Sequence, residues 1–248
     1  MKINPVAFTL FGIDVKWYGV LIGIGALLAI FFADKLAKKR GLSDDLVTDF
    51  VFVLLISGII GARTYYVIFQ WDYYSIHKDE ILSIRNGGLA IYGAVLAGII
   101  VALVFSRRKK VSFWDLADIS APGLALAQGI GRWGNFINGE AHGGPTNLPW
   151  AIVVDGVKVH PTFLYESILD ISIFIFLYFY LSKKEKFKGQ LFTTYMILYG
   201  IGRFFIEGLR TDSLYIGIFR VSQLVSLAMV IAGIIVTVLN KKRLKLNK

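Results

Sequence analysis

Residues 17–33 read WYGVLIGIGALLAIFFA, a run of 17 residues without a charged side chain. A helix needs roughly 17 to 25 predominantly apolar residues to cross the hydrocarbon core of a bilayer. No water is present there to satisfy exposed backbone groups, so a spanning segment of this kind forms a helix. The stretch therefore predicts a membrane-spanning helix near the N-terminus.

Further apolar stretches of spanning length follow along the chain. Together with residues 17–33, the predicted spans are residues 46–69, 88–105, 114–131, 163–181, 190–206 and 220–239. Residues 114–131 form the weakest of them, because they include Asp115, Asp118 and Pro122, and a buried or broken helix is the alternative there. The predicted fold is an all-α integral membrane protein with seven transmembrane helices, a single polytopic domain over residues 1–248.

The composition agrees with this fold class. Of the 248 residues, 56% are apolar or aromatic and 18% are charged, whereas about a quarter of the residues of a soluble domain are charged. This excludes a disordered chain. The chain has no cysteine, which excludes a thiolate metal site, an iron–sulfur cluster and a catalytic cysteine of its own. The 3 histidines lie in predicted loops without ligand spacing, so no metal and no other cofactor is expected.

The basic residues predict the orientation. Residues 34–45, 106–113, 182–189 and the C-terminal tail hold 17 of the 27 lysines and arginines, whereas the alternate segments hold few. Loops rich in Lys and Arg stay in the cytoplasm, so the N-terminus is predicted outside and the C-terminus inside. Because the net charge of +10 is explained by this asymmetry, nucleic acid is not expected as a partner.

One predicted outside loop, residues 132–162, is large. It contains the runs AIVV and VKVH, joined by Asp155 and Gly156. Asp-Gly between two β-rich runs is typical of a two-residue hairpin turn. We expect a small ordered extracytoplasmic head between the fourth and fifth helices.

Polar side chains collect at the predicted outer ends of the helices. They are Tyr199, Arg203, Glu207 and Arg210 along one face of the sixth helix, Arg132, Asn135, Asn138 and Glu140 at the end of the fourth, and Tyr18, Arg63 and Tyr92 elsewhere. The guanidinium group matches phosphate with two parallel hydrogen bonds. Since arginines outnumber the nearby carboxylates in this set, the pattern favours an anion-binding site, in which Glu140 and Glu207 hold arginines or act as bases.

Simpler structural interpretations stay open. Arg203 and Glu207 could form only an i,i+4 pair within one helix. Four aspartates are expected to serve helix capping and interhelical hydrogen bonds rather than a proton relay: Asp49, Asp115, Asp118 and Asp170. His142 stays a candidate auxiliary acid or base because it lies two residues from Glu140.

Five blocks of sequence together resemble one family. The stretch GRWGNFINGEAHG at residues 131–143 resembles the signature of the bacterial prolipoprotein diacylglyceryl transferases. The other blocks follow in the family's order: WYG at 17–19, NGGLAIYG at 86–93, HPTFLYE at 160–166 and YGIGRFFIEGLRTD at 199–212. The blocks extend over nearly the whole chain, and the family's seven-helix topology agrees with the charge pattern.

The resemblance implies a multi-pass enzyme of the bacterial plasma membrane. Such an enzyme moves the diacylglyceryl group of phosphatidylglycerol onto the thiol of the lipobox cysteine of a preprolipoprotein and releases glycerol phosphate. The absence of cysteine from this chain fits, because the nucleophile belongs to the substrate. The expected partners are phosphatidylglycerol, the signal peptide of the preprolipoprotein and the lipid bilayer.

The site residues divide into two expected roles. Arg132, Arg203, Tyr92 and Glu140 are expected to be catalytic. The expected substrate-binding residues are Tyr18, Asn135, Asn138, Gly143, Tyr199, Glu207 and Arg210, together with Arg132 and Arg203. Tyr92 departs from the family pattern, because many members have a histidine at this position that is often treated as catalytic.

In the expected mechanism, Arg132 and Arg203 hold the phosphate and stabilise the charge that grows on the leaving oxygen. The base that takes the thiol proton is open among Tyr92, Glu140 and His142. Nearby arginines could instead lower the pKa of the thiol enough to make a base unnecessary. The alternative functions are a transporter or flippase of a phosphorylated lipid or small anion and a non-catalytic assembly subunit.

Overall fold

A computed structural model describes residues 4–84 and 87–246, without the side chains of residues 243–246. It is mainly helical, and a long helix lies at each predicted stretch. The long helices are α1 (Trp17–Lys39), α2 (Leu46–Phe69), α3 (Ile91–Lys109), α4 (Phe113–Asn138), α5 (Thr162–Ile175), α6 (Gln190–Leu209) and α7 (Val221–Leu246). A π-helical turn, Phe176–Tyr180, and a 3-10 turn, Leu181–Lys183, extend α5. Two short turns, Trp71–Tyr74 and Lys78–Glu80, follow α2.

Five of these helices are long and apolar enough to cross a membrane: α1, α2, α3, α5 with its extension to Lys183, and α7. The prediction of an all-helical membrane protein is thereby confirmed. Helix α4 is continuous through Pro122, so the broken-helix alternative is wrong. Its small and apolar side chains are deeply buried, with Leu116 and Ile119 each 1% exposed, which supports the alternative of a buried helix.

The chain divides into two compact units. The first contains Met1–Leu36 and Ala117–Lys248, and the second contains Ala37–Leu116. In the first unit α6 packs against both α5 and α7, and in the second α2 packs along α3. The residues expected to bind substrate lie mostly in the first unit, whereas Arg63 and Tyr92 lie in the second.

Two helix ends are stabilised in different ways, one by residues of the same helix and the other by a residue of another helix. The last turn of α3 carries Arg107, Arg108 and Lys109, whose positive charges favour the C-terminal end of the helix dipole. By contrast, α6 is capped from another helix. Asp118 of α4 accepts hydrogen bonds from the backbone N–H groups of Gly189 (2.7 Å) and Phe192 (2.9 Å) at the start of α6.

In the described residues, three two-stranded hairpins complete the fold. Strand β1 (Val6–Leu10) pairs with β2 (Ile13–Lys16), β3 (Ile152–Val154) with β4 (Val157–Val159), and β5 (Tyr215–Ile216) with β6 (Phe219–Arg220). The predicted hairpin at Asp155 and Gly156 is confirmed, and both turn residues have the positive φ of a type I′ turn, 47° and 83°. The other two hairpins were not predicted from the sequence.

Candidate active site

Three arginines of the first unit converge on one buried carboxylate, Glu166 of α5. Arg132 Nη2 lies 2.5 Å from Glu166 Oε2, and Arg203 Nη1 lies 2.6 Å from Oε1. Arg210, which directly follows α6, places Nη1 at 3.3 Å from Oε1. The Glu166 side chain is 2% exposed. The structure therefore brings together Arg132, Arg203 and Arg210, and adds a carboxylate that the sequence analysis did not single out.

Glu207 supplies a second carboxylate to the same cluster. Its Oε2 lies 2.6 Å from Arg203 Nη2 and 3.9 Å from Arg210 Nε. Its backbone carbonyl accepts a hydrogen bond from Arg220 Nη1. The expectation that Glu207 holds arginines is confirmed. The i,i+4 pair of Arg203 and Glu207 exists, but it is one part of a larger cluster.

Asp212 closes the cluster at the end of α6. Arg210 donates to both of its carboxylate oxygens, from Nε at 2.9 Å and from Nη2 at 2.8 Å. The hydrogen bond from Arg210 holds the pKa of the Asp212 carboxyl below its ordinary value. Burial alone would lower the pKa of Arg210, but its hydrogen bond to Asp212 and the surrounding carboxylates raise it. The pair is therefore ionised throughout the neutral pH range.

The charges of this cluster balance. Three guanidinium groups, Arg132, Arg203 and Arg210, face three carboxylates, Glu166, Glu207 and Asp212. The expectation that arginines outnumber the nearby carboxylates is therefore wrong. It failed because Glu166 comes from a different helix and Asp212 from the segment after α6, and neither belongs to the predicted stripe. An anion that enters this site must compete with carboxylates for the arginines.

A line of polar side chains continues from the cluster along α6. The ring of Tyr199, one turn before Arg203, stacks on the ring of Tyr195 with centroids 5.6 Å apart. Tyr195 in turn donates to Gln128 Oε1 of α4 at 2.9 Å. The two stacked rings thus lie along α6 before Arg203, and Tyr199 is one turn away from that arginine.

The four aspartates have different surroundings. Asp118 caps α6, Asp115 pairs with Arg40 at 3.4 Å, and Asp49 pairs with Lys109 at 2.6 Å, so a structural role is confirmed for these three. The same expectation is wrong for Asp170, which lies one turn after Glu166. Asp170 is 0% exposed, and neither of its carboxylate oxygens has a hydrogen-bond partner in the described part of the chain.

The amides near the end of α4 surround Glu140. Its Oε1 accepts hydrogen bonds from Asn138 Nδ2 at 3.0 Å and from Asn135 Nδ2 at 3.3 Å. Among the described residues these two amides are its partners, so the expectation that Glu140 holds an arginine is wrong. Tyr18 of α1 lies against the same end of α4, because a Cβ built on Gly134 would be 3.2 Å from Tyr18 Cα.

Gly143 lies where the head segment crosses the end of α6. Its N–H donates to the His160 carbonyl at 2.9 Å, and it forms an antiparallel bridge with Arg210. A Cβ at this position would be 2.7 Å from His160 Cβ and 2.9 Å from the Leu209 carbonyl oxygen. Only glycine fits here, and its observed contacts fix the backbone of Arg210. His142 Nδ1 lies 3.1 Å from the Gly143 carbonyl oxygen.

Comparison with known proteins identifies the family of this chain. The family model of prolipoprotein diacylglyceryl transferase matches residues 5–239. The chain belongs to the prolipoprotein diacylglyceryl transferase family. It is 56% identical over 241 residues to the phosphatidylglycerol–prolipoprotein diacylglyceryl transferase of Finegoldia magna, with 97% of each chain covered. It is 53% identical over 244 residues to the protein of the same name from Clostridioides difficile, with 98% of each covered.

Membership of the prolipoprotein diacylglyceryl transferase family makes this protein a transferase of lipoprotein biosynthesis. The resemblance drawn from the five sequence blocks is confirmed. The transporter and assembly-subunit alternatives are not kept, because the matches are to transferases over nearly the full chain.

Arg63, in the second unit of this transferase, has different partners from the arginines of the cluster. Arg63 of α2 is 7% exposed. It donates to the backbone carbonyls of Glu80 (2.7 Å), Ile81 (2.7 Å), Gly87 (3.2 Å) and Gly88 (2.9 Å). Four of the five N–H groups of a guanidinium are therefore occupied. The expectation that Arg63 adds donors to an anion site is wrong.

Tyr92 is the second residue of α3, and its side chain is 37% exposed. Its ring lies 6.4 Å from that of Tyr65. The segment before it is anchored to α2, since the Ala90 N–H donates to the Ala62 carbonyl at 3.1 Å. Tyr92 thus lies in the first turn of α3, and a backbone hydrogen bond to α2 fixes the segment before this helix.

Glu166 is the main functional candidate that the sequence analysis missed. It is part of HPTFLYE at residues 160–166 and lies within the predicted span 163–181. An ionisable residue inside a span is expensive to bury and marks a functional site by default. That rule alone would have selected Glu166, although its partners, 34 to 44 residues away in sequence, come only from the fold.

Proposed function

We propose that the arginine–carboxylate cluster binds the phosphate group of phosphatidylglycerol, and that the diacylglyceryl group is transferred from there to the lipobox cysteine thiol of a preprolipoprotein. The observation that carries the proposal is the convergence of Arg132, Arg203 and Arg210 within 3.3 Å of one carboxylate. A site that orients three guanidinium groups around two oxygens suits a phosphate, which offers the same acceptor geometry.

The reaction replaces a carbon–oxygen bond with a carbon–sulfur bond. The thiolate of the substrate cysteine attacks the glyceryl carbon, the bond to the phosphate oxygen breaks, and the oxygen leaves with the electron pair as glycerol phosphate. The thiol proton passes to a base. Negative charge grows on the phosphate during this step, and Arg132 and Arg203 are held in place by Glu166 and Glu207 to stabilise it.

The remaining expected residues fit subsidiary roles. Asn135, Asn138 and Tyr18 lie around the end of α4, where they would orient the glycerol headgroup. Glu140 and His142 are candidates for the proton acceptor. Tyr92 is better suited to donate a hydrogen bond than to accept a proton, since a neutral phenol is a good donor and a weak base.

The membrane arrangement proposed for this site has seven spans in the bacterial plasma membrane. The N-terminus and residues 132–162 lie outside, and the basic loops lie in the cytoplasm. This is supported by the distribution of 17 basic residues on alternate segments. In this arrangement α4 and α6 cross the membrane as the more polar helices, because their polar side chains pair with other helices and not with lipid.

Labelling of single cysteines tests the orientation in a chain that has none of its own. Arg108 and Asn147 are both exposed, so Arg108→Cys and Asn147→Cys offer matched positions on opposite predicted sides. With a membrane-impermeant thiol reagent in intact cells, we expect labelling at residue 147 only. Labelling at 108 without labelling at 147 would invert the proposed orientation.

The activity is tested with purified protein in vesicles that contain phosphatidylglycerol and a synthetic lipobox peptide. We expect a peptide whose mass increases by one diacylglyceryl group, with release of glycerol phosphate. A peptide with serine in place of the cysteine and vesicles of phosphatidylethanolamine alone are the matched controls. Equal modification of the serine peptide would contradict thiol transfer, and equal modification without phosphatidylglycerol would contradict the proposed donor.

A further inference from the structure

Glu166 lies at the centre of the arginine–carboxylate cluster. Both of its carboxylate oxygens are engaged, Oε2 by Arg132 and Oε1 by Arg203 and Arg210. Its side chain is 2% exposed, whereas those of the three arginines are 11% to 20% exposed. The carboxylate is therefore more buried than the guanidinium groups. It accepts hydrogen bonds from Arg203 and Arg210 and forms an ion pair with Arg132.

The helix that carries Glu166 is anchored on both sides of it. Thr162 Oγ1 donates to the Ala141 carbonyl at 2.6 Å. Trp133 Nε1 of α4 donates to Ser167 Oγ at 3.1 Å. The carboxylate is thus attached to a fixed stretch of α5, whereas the arginines reach it with long side chains. When an anion enters, the arginines can turn toward it while Glu166 stays in place.

The net charge of the site changes when an anion binds. The ion pairs of the cluster join three positive and three negative side chains. A phosphodiester adds one negative charge, and the phosphate monoester left after transfer adds up to two at neutral pH. Arginines that stabilise the growing charge also hold the product more tightly than the substrate, so release of product needs a competing acceptor.

We propose that Glu166 is a positioning residue that holds the three arginines in the empty site and competes with the phosphate for them, so that it promotes release of glycerol phosphate. This rests on the proposed binding of phosphate by the arginine cluster. The exchange involves no covalent change of Glu166. It requires only that one acceptor replace another on the same N–H groups.

The variant Glu166→Gln separates this role from a merely structural one. Glutamine keeps the size of the side chain but removes its charge, which leaves the cluster with an excess of one positive charge. Buried charges without a partner are strongly unfavourable, so an anion should bind more tightly. We expect the inhibition constant of added glycerol phosphate to fall about tenfold and kcat to fall with it. If Glu166 only held the arginines in shape, the inhibition constant would rise.

The experiment measures kcat, the KM for phosphatidylglycerol and the inhibition constant of glycerol phosphate in the full chain. Asp49→Asn is the matched control, since it removes the negative charge from a carboxylate paired with Lys109 outside the cluster, and it should leave all three values unchanged. An inhibition constant that is unchanged or higher in Glu166→Gln would overturn the inference.

Two further variants keep the test decisive. If Glu166→Gln does not fold, Glu166→Asp retains the charge but withdraws it by one methylene, and its inhibition constant should lie below that of the unaltered chain. A value at or above it would count against the inference. Arg203→Lys tests the proposed function separately. If that variant binds glycerol phosphate as well as the unaltered chain, the cluster is not the phosphate site.

Discussion

Arg203 of α6 in the first unit and Arg63 of α2 in the second both lie within long helices, and both are largely buried. They differ in what they bind. Arg203 donates a hydrogen bond to Glu166 and forms an ion pair with Glu207, whereas Arg63 donates to four backbone carbonyls. An anion that binds Arg203 has to share its guanidinium group with two carboxylates, whereas an anion that binds Arg63 has to break several hydrogen bonds to the backbone of the segment before α3. The type of partner, more than burial, separates an arginine available to a ligand from one committed to the fold.

Arg63 and the arginines of the cluster serve different purposes. Arg63 ties Glu80 to Gly88 and also lies over the ring of Tyr74, 5.1 Å from its centroid. It therefore stabilises the chain that leads into α3. In the first unit the backbone is held by other contacts, such as the bridge between Gly143 and Arg210, and the guanidinium groups are left with exchangeable partners.

The largest effect is expected for Arg203→Lys and Arg132→Lys. Lysine keeps the positive charge but loses the planar pair of donors. We expect turnover of phosphatidylglycerol and lipobox peptide to fall at least about tenfold, which corresponds to about 1.4 kcal/mol of transition-state stabilisation. Thermal unfolding shows whether each variant is folded. Full activity in both folded variants would show that these two guanidinium groups do not bind the phosphate in the transition state.

The second-largest effect is expected for Arg63→Lys, and it is a loss of stability. An ammonium group has three donors on one nitrogen and cannot reach four carbonyls arranged around a guanidinium. Each hydrogen bond that is lost costs about 0.5 to 1.5 kcal/mol. We expect a lower unfolding temperature and a smaller change in turnover per folded molecule than in Arg203→Lys. The reverse pattern, with stability kept and turnover lost, would show that Arg63 also binds the anion.

A smaller effect is expected for Tyr92, which follows the segment that Arg63 holds. Tyr92→Phe removes one hydrogen-bond donor, worth about 1 kcal/mol, so turnover should fall severalfold. Tyr92→His should retain substantial activity, because imidazole can also donate. Loss of all turnover in both variants, with phosphatidylglycerol still bound, would instead make the phenolate the base.

The smallest effect is expected for Asp212→Asn, at the edge of the cluster. Its carboxylate is 49% exposed, so its pair with Arg210 is expected to contribute at most about 1 kcal/mol. Because the pKa of Asp212 is lowered in the folded protein, this contribution is fully present above the ordinary pKa of 3.8 and is lost as the pH falls through the lower pKa of the folded carboxyl. The unaltered chain should therefore unfold at a slightly higher temperature than the variant at pH 7, and this difference should shrink as the pH falls below 3.8. A difference that persists at low pH would show that charge is not its cause.

Much of the fold was predicted from local sequence patterns. Hydropathy over about 20 residues selects helices, and the Asp155-Gly156 turn selects a hairpin, because each signal depends on neighbours along the chain. The hairpin of β1 and β2 was missed because its turn begins with Phe11, whose φ of 50° is unusual for an aromatic residue. The end of α4 was placed too early, and the helix continues to Asn138, which brings Arg132 and Asn135 onto the helix.

The sequence by itself determined that this is a helical membrane protein of a known transferase family, with arginines near the ends of its helices. The tertiary structure decided which groups of other helices those arginines bind. Glu166 meets Arg132 and Arg203 across 34 and 37 residues, and Asp118 caps α6 across 71 residues. Such pairs depend on how helices pack against one another, and neither helical periodicity nor hydropathy carries information about the side chain that a neighbouring helix presents. Arg63 and Arg203 therefore look alike along the chain and differ only in the folded protein.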